Sequence, residues 1–414
     1  MRPALLIIAL VVTTAAVALA VGVTGADQDG DRDSGPRPDR ARANDSSTAA
    51  NDSGIANDPS TTPDDSSPGP EQPSRPPRVR FTVSVSGDLL MHGPLLDRAL
   101  ANGDGGHYDF APFFERVRPY VAGADLALCH VETPMGPGPP SSYPIFNTPA
   151  DLANSIRKSG WDGCSTASNH SVDQGQAGID GTVKALKRSK VEHTGSFRSE
   201  RASRRPTIVR VKGIPVGLVA YTDATNGLPP PHPWSVNAYD ADRPAQGAEA
   251  ILDDVRRAHR AGARAVIVNL HWGTENASAP NASQRAVAER LTRSRLVSAV
   301  VGQGPHVVQP IARMNRKFVV FSEGNLVSNQ SAAAGLPTAT QDGLIALLRF
   351  VGRGGRVRVK RLRYVPTWVR IGDYVVLPAR AGESGASSAE LRASYRRTVS
   401  VAGEGKRFGP APFD

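Results

Sequence analysis

Residues 248–275 read AEAILDDVRRAHRAGARAVIVNLHWGTE, and their reading decides the fold. Ala248 to His259 sets Ile251, Leu252 and Val255 on one face at helical spacing. Gly262 is the stop signal expected after such a helix. Ala265 to Leu270 (AVIVNL) is a β-branched strand, and it runs directly into His271-Trp272-Gly273-Thr274-Glu275. The same alternation continues outward. Ser283 to Arg293 is a second helix, Leu296 to Val301 the next strand and Lys317 to Phe321 another. Upstream, Arg80 to Val85 (RFTVSV) alternates like a strand, and Ala124 to Cys129 (ADLALC) is a short apolar run. Strands alternating with helices predict an α/β fold with a largely parallel sheet. Leu344 to Phe350 and Arg356 to Tyr364, separated by Gly352, Gly354 and Gly355, read as a terminal hairpin. Residues 79–380 form the folded domain in this reading, and 381–414 a poorly ordered polar tail.

The 414 residues carry a net charge of +10, and they suffice for one large domain or two small ones. Ala4 to Val23 is an almost unbroken apolar run behind Arg2, and Ala18-Leu19-Ala20 fits a small-x-small cleavage site. Its length also matches a membrane span. A cleaved signal peptide and an uncleaved anchor both fit residues 1–25, and either puts the rest outside the cytoplasm, membrane-anchored or secreted. Residues 26–78 read as a disordered linker, rich in Asp, Ser and Pro and nearly without apolar residues. Eleven acids against five arginines leave Ala26 to Pro76 at −6, so the remainder carries +16. A basic folded part on an exported chain suits an anionic envelope polymer or a phosphorylated substrate, with the membrane a further partner if the N-terminal segment stays. Nucleic acid is not expected. Two cysteines, Cys129 and Cys164, are too few for a disulfide framework; one bridge and two buried thiols both fit.

Polar residues collect after each strand. Gly87-Asp88-Leu89-Leu90-Met91-His92 follows the first, and His130-Val131-Glu132-Thr133-Pro134 the second. Ser168-Asn169-His170-Ser171-Val172-Asp173-Gln174-Gly175 follows the short run near Cys164. His271 to Glu275, Gly302-Gln303-Gly304-Pro305-His306 and Ser322-Glu323-Gly324-Asn325 close the next three. In open α/β sheets, ligands bind beyond the carboxyl ends of the strands. Six such ends delivering Asp, Glu, Asn and His make a donor set for Mn²⁺, Fe²⁺ or Zn²⁺. Paired ions of that kind activate water and stabilise attacking and leaving oxygens in phosphoryl transfer, with a His to protonate the leaving group.

The ordered set GDLLMHG (Gly87–Gly93), HVETP (His130–Pro134), FNTP (Phe146–Pro149), SNHSVDQG (Ser168–Gly175), HWGTE (His271–Glu275), GQGPHVVQP (Gly302–Pro310), FSEGNLV (Phe321–Val327) and YVPTWV (Tyr364–Val369) resembles the CapA family of capsule and poly-γ-glutamate synthesis proteins. That family belongs to the calcineurin-like metallophosphatase superfamily, and the resemblance covers about Val79 to Trp368. It implies a four-layer αββα sandwich holding one or two divalent transition-metal ions. Asp88, Glu132, Asn169, His271 and His306 are the implied ligands. His170 is either a further ligand or the general acid, and with Asp173 it is assigned to catalysis. Glu275 and Asn325 are implied contacts to substrate or to the ligands. Leu90 stands where the superfamily has the His of Asp-x-His, and Gln303 where the family commonly has a second His. His92 and His130 are the available replacement donors.

Two functions follow from this resemblance: metal-dependent hydrolysis of a phosphoester or an envelope-polymer amide, or a non-catalytic role in synthesising, exporting or anchoring a polyanion. The chain has no G-x-S-x-G nucleophile elbow, no G-x-x-x-x-G-K-[ST] and no G-x-G-x-x-G, which argues against serine hydrolase and nucleotide-binding readings.

Overall fold

The computed structural model describes residues 78–353 and 356–412. The N-terminal apolar run and the linker lie outside the described residues, apart from Arg78. No helix among the described residues is long and apolar enough to cross a membrane.

Two sheets lie face to face. The first runs Val376–Pro378, Arg356–Val369, Asp342–Arg353, Val79–Leu89, Leu126–Val131, Gly163–Ser165 and Glu192–Thr194, with two short strands beside this path. Its last four strands are parallel. The second runs Thr207–Val211, Ile214–Thr222, Ala265–His271, Ala299–Gln303, Lys317–Val320 and Ile311–Met314, with a parallel centre. One apolar core lies between the sheets, where Val83, Val85 and Leu128 meet Leu218, Ile267 and Val301. A second joins the first sheet to the helices Gly93–Asn102 and Asp151–Ser159 through Leu95, Leu152 and Ile156. A third joins the other sheet to the helices Pro244–Arg260 and Ala282–Arg293 through Ile251, Val255 and Leu291. The layers are therefore helix, sheet, sheet, helix, as the resemblance implied. Each sheet is covered on both faces, which is why strands such as Ala265–His271 read as continuous apolar runs.

Three expectations change. The helix read from Ala248 begins at Pro244, where proline suits a first turn whose N–H groups have no helical partner. The hairpin forms as read, its strands Asp342–Arg353 and Arg356–Val369 paired antiparallel, but the strands are longer and lie inside the sheet, where Asp342–Arg353 also pairs with Val79–Leu89. The segment beyond Arg380 is not a poorly ordered tail. Ser388–Ala402 is a helix with a Ser387/Glu390 capping box, and Leu391 packs against Trp368, Leu377 and Ala379. Its few apolar residues are spaced to fall on one face, a signal that overall polarity hides. Cys129 and Cys164 pair directly across neighbouring parallel strands with Cα atoms 4.4 Å apart, and they are joined as a disulfide.

Candidate metal centre

The first strand delivers Asp88 fully buried at its end. Gly87 makes this possible, because a Cβ there would lie 1.8 Å from the Gly324 carbonyl oxygen. That close approach lets Asp88 pair in register with Asn325, one strand over. The second strand ends on His130 and Val131, with Glu132 next in the chain. The other sheet brings His271 at the end of its strand. His306 follows Gly304, whose φ of +105° favours glycine. The backbone N–H of Gly304 donates to Asp88 Oδ2 at 3.4 Å. His306 itself sits at φ +59°, a strained region for a side chain with a Cβ.

These side chains converge. His306 Nδ1 lies 3.2 Å from Asp88 Oδ2 and 3.1 Å from Asn325 Oδ1. Both partners are acceptors, so Nδ1 carries the proton and Nε2, 3.6 Å from Glu132 Oε1, is left for a ligand. His271 Nε2 is also 3.6 Å from Glu132 Oε1, and His130 Nε2 is 3.9 Å from Asp88 Oδ1. His130 and His271 stack with centroids 5.1 Å apart, and Ser165 Oγ fixes His130 Nδ1 at 2.7 Å. Two buried triads have ligand atoms close enough for an ion: Asp88, His130 and His271, and Asp88, Glu132 and His306. Asp88 belongs to both.

The fit to metal rests on unused donors. Asp88 Oδ1, His130 Nε2, both Glu132 carboxylate oxygens, Asn169 Oδ1 and both His271 nitrogens are buried without a hydrogen-bond partner. Buried polar atoms are rarely left so, and six of these, on Asp88, His130, Glu132 and His271, fall in one cluster that calls for a cation. Electrostatics agree. Burial and the nearby Glu132 push the Asp88 carboxyl up. Burial acts the same way on Glu132, but the attraction of His306 and His271 outweighs it and holds that carboxyl below its usual range. Burial, with His271 beside it, pushes His130 down to about 3, the neutral form that ligates.

Beside this cluster, His170 Nδ1 lies 2.8 Å from Asp173 Oδ2, which also accepts the Phe146 N–H at 2.8 Å. The Phe146 ring stands edge-on to His170 at 4.7 Å and to His92 at 5.4 Å. Asn226 Nδ2 lies 3.4 Å from each His170 ring nitrogen. Asn325 is buried and orients His306 while its amide donates to Gln330 Oε1 and the Thr340 carbonyl. Glu275 is exposed, and its charge reaches the site only through its pull on His306. Gln303 donates to Glu323 Oε2 at 2.8 Å, and burial, with Asp88 adding to it, raises the Glu323 carboxyl. Leu90 is simply buried.

The structure thus gathers Asp88, Glu132, His271 and His306, adds His130 as a full participant, and sets the His170–Asp173 pair at the rim. Phe146 and Asn226 had no assigned role in the sequence reading. The FNTP motif was visible, but nothing in it announces an aromatic wall. Asn226 lies in a loop after Thr222 with no motif at all.

The bacterial capsule synthesis protein PGA_cap family model matches residues 82–330. The chain is 23% identical over 265 residues to a capsule biosynthesis protein CapA of Bacillus anthracis, covering 61% of this chain and 60% of that one. It is 26% identical over 234 residues to a probable polyglutamine synthesis accessory protein of Mycobacterium tuberculosis, covering 50% and 60%. Each match thus spans 60% of the relative's own length. Among solved structures, a calcineurin-like phosphoesterase of Bacillus subtilis aligns with a TM-score of 0.44 at 13% identity, covering 78% of this chain and 99% of that one.

Proposed function

The chain belongs to the bacterial capsule synthesis protein PGA_cap family, and from that premise we propose that it acts outside the cytoplasm in making or anchoring an anionic envelope polymer such as polyglutamate, by metal-dependent hydrolysis. The observation that carries the hydrolytic part is the cluster of six buried, unpartnered donor atoms on Asp88, His130, Glu132 and His271. Asp88, His130, Glu132, His271 and His306 would hold the metal, with Asn169 as a further oxygen donor. A divalent transition metal bound there would supply Lewis-acid polarisation of a phosphoryl or carbonyl oxygen and a water made acidic enough to attack at neutral pH.

The chain's own groups do the rest. His170 donates through Nδ1 to Asp173, which fixes the ring and leaves Nε2 to deliver a proton to a leaving group. The Phe146 ring packs against His170 and limits water on that side. Asn325 holds His306 in one tautomer. The basic folded part attracts an anionic substrate. The cystine of Cys129 and Cys164 suits an oxidising, extracytoplasmic compartment.

One observation favours a non-catalytic, polymer-binding role. Gln303, where a second His would stand, commits its amide N–H to Glu323 and brings no imidazole. Turnover separates the two readings. The Mn²⁺- or Zn²⁺-loaded full-length protein is expected to cleave a generic phosphodiester or a γ-glutamyl oligomer, with loss of about 10³-fold or more in Asp88→Asn. No turnover of either substrate with metal bound would leave the accessory role.

A further inference from the structure

The two sheets each end in a strand with no ladder partner on its outer side among the described residues: Glu192–Thr194 in one and Thr207–Val211 in the other. These edges lie side by side, and the Thr207 hydroxyl donates to the His193 carbonyl at 2.9 Å. Beside them opens a groove of about 660 Å³. Val183, Val191, Phe197 and Ile208 line it with apolar surface. Four cations stand on it, Lys187, Lys190, Arg198 and Arg205, against a single acid, Glu192. All four are exposed. Lys187, Lys190 and Arg205 make no ion pair among the described residues, and Arg198 meets only Asp180, at 3.9 Å between half-exposed side chains. None of the groove residues belongs to the metal cluster. The groove is nevertheless tied to the catalytic rim. Gln176 donates to the Phe197 carbonyl at 3.1 Å, from the helix Gly175–Arg188 that begins two residues after Asp173.

We propose that this groove is a binding site for an extended anionic polyamide, a chain with one carboxylate per repeat. The choice of ligand rests on the envelope-polymer reading above; the groove is separate from the site of hydrolysis. The His193 carbonyl is taken by Thr207, but the edge strand Thr207–Val211 borders the groove at Ile208 and offers backbone N–H and C=O groups to a ligand that carries amides, the same pairing by which extended peptides add to a sheet. The four cations meet the carboxylates, and the apolar floor accepts the methylene spacers between them. A polyphosphate satisfies the cations alone. The geometry assigns the groove to a polyamide because the strand edge at Thr207 and Ile208 borders it, with Lys187 on the last turn of the helix Gly175–Arg188 and the other three cations in the turns around it.

The test is fluorescence anisotropy of a labelled γ-linked glutamate oligomer with the full-length protein at about 0.1 M salt. The fourfold variant K187E/K190E/R198E/R205E is expected to bind about tenfold weaker or worse, as reversal of charges facing a charged ligand does. The matched variant R349E/R358E/K360E/R361E, on exposed positions of the strands Asp342–Arg353 and Arg356–Val369 that do not line the groove, should stay within about threefold, because screening confines surface charge to short range. Equal loss in both variants, or no binding by the wild type, overturns the groove. A neutral version, K187Q/K190Q/R198Q/R205Q, should also weaken binding, and its thermal melt checks folding. Polyacrylate, with carboxylates and no amides, should compete about fivefold less well per carboxylate; equal competition overturns the polyamide assignment. Binding is read on the metal-free protein, where no turnover is expected, so failure of the hydrolytic reading and failure of this one are seen separately.

Discussion

Asn325 turns its Oδ1 to His306 and anchors its amide on Gln330 and Thr340, so one side chain decides which histidine nitrogen is free. Substituting Asn325→Ala is expected to weaken metal binding by about 10- to 100-fold, the usual cost of losing a partner that orients a ligand. Titration calorimetry with Mn²⁺ or Zn²⁺ checks this, and unchanged affinity would mean that the strand alone holds His306. Asp173 has a different task. It pairs with His170 at the rim, so Asp173→Asn should leave metal content unchanged and slow turnover by about 10²-fold. At this scale much was legible. The motifs named Asp88, Glu132, His271 and His306, because acids and imidazoles directly after apolar strands have few packing uses. His130 stood only as a replacement donor, since its role depends on Ser165, which holds Nδ1, and on His271, which it stacks against. Neither neighbour is visible before the strands are placed side by side. Glu275, expected as a contact to substrate or to the ligands, is exposed.

The helix Ser388–Ala402 contributes to the fold in three separable ways. Its capping box ties Ser387 to the Glu390 backbone N–H, and Ser387→Ala should cost about 1 kcal/mol. Leu391 is fully buried against Trp368 and Leu377, and Leu391→Ala should cost about 2–4 kcal/mol. Arg397 reaches Asp342 with bonds of 2.6 and 2.9 Å, fastening the helix to the central strand pair. Urea unfolding of the full-length protein measures each change. Just before the helix, Glu383 is buried between Arg116 and Arg380. Burial pushes its carboxyl up, but the two arginines outweigh that and hold it below the ordinary 4.5. A carboxyl depressed in the folded state stabilises above its unfolded value and loses that contribution as pH falls through the folded one. Glu383→Gln should therefore cost about 1 kcal/mol at pH 7, since both arginines are partly exposed. The gap should close as the pH drops below 4.5, and a gap constant with pH would contradict the ion pair. The parallel strands were legible because a buried sheet demands unbroken apolar runs. This helix was not, because a one-sided docking helix needs few apolar residues and its polar face dominates the composition.

The metal cluster sits where the two sheets meet. Asp88, His130 and Glu132 come from one sheet, and His271 and His306 from the other. Such a centre couples metal binding to the packing of the whole domain. Bound metal at about 100 times its dissociation constant should add about 2.7 kcal/mol of stability. Chelation should then lower the melting temperature by several degrees in the wild type and hardly at all in His271→Ala. The single measurement closest to the central claim is the metal content of the full-length protein after reloading with Mn²⁺ or Zn²⁺, beside Asp88→Asn and His306→Ala. The account predicts one to two transition-metal ions per chain, falling well below one in either variant. No bound transition metal in the wild type after reloading, or equal content in all three proteins, would contradict it.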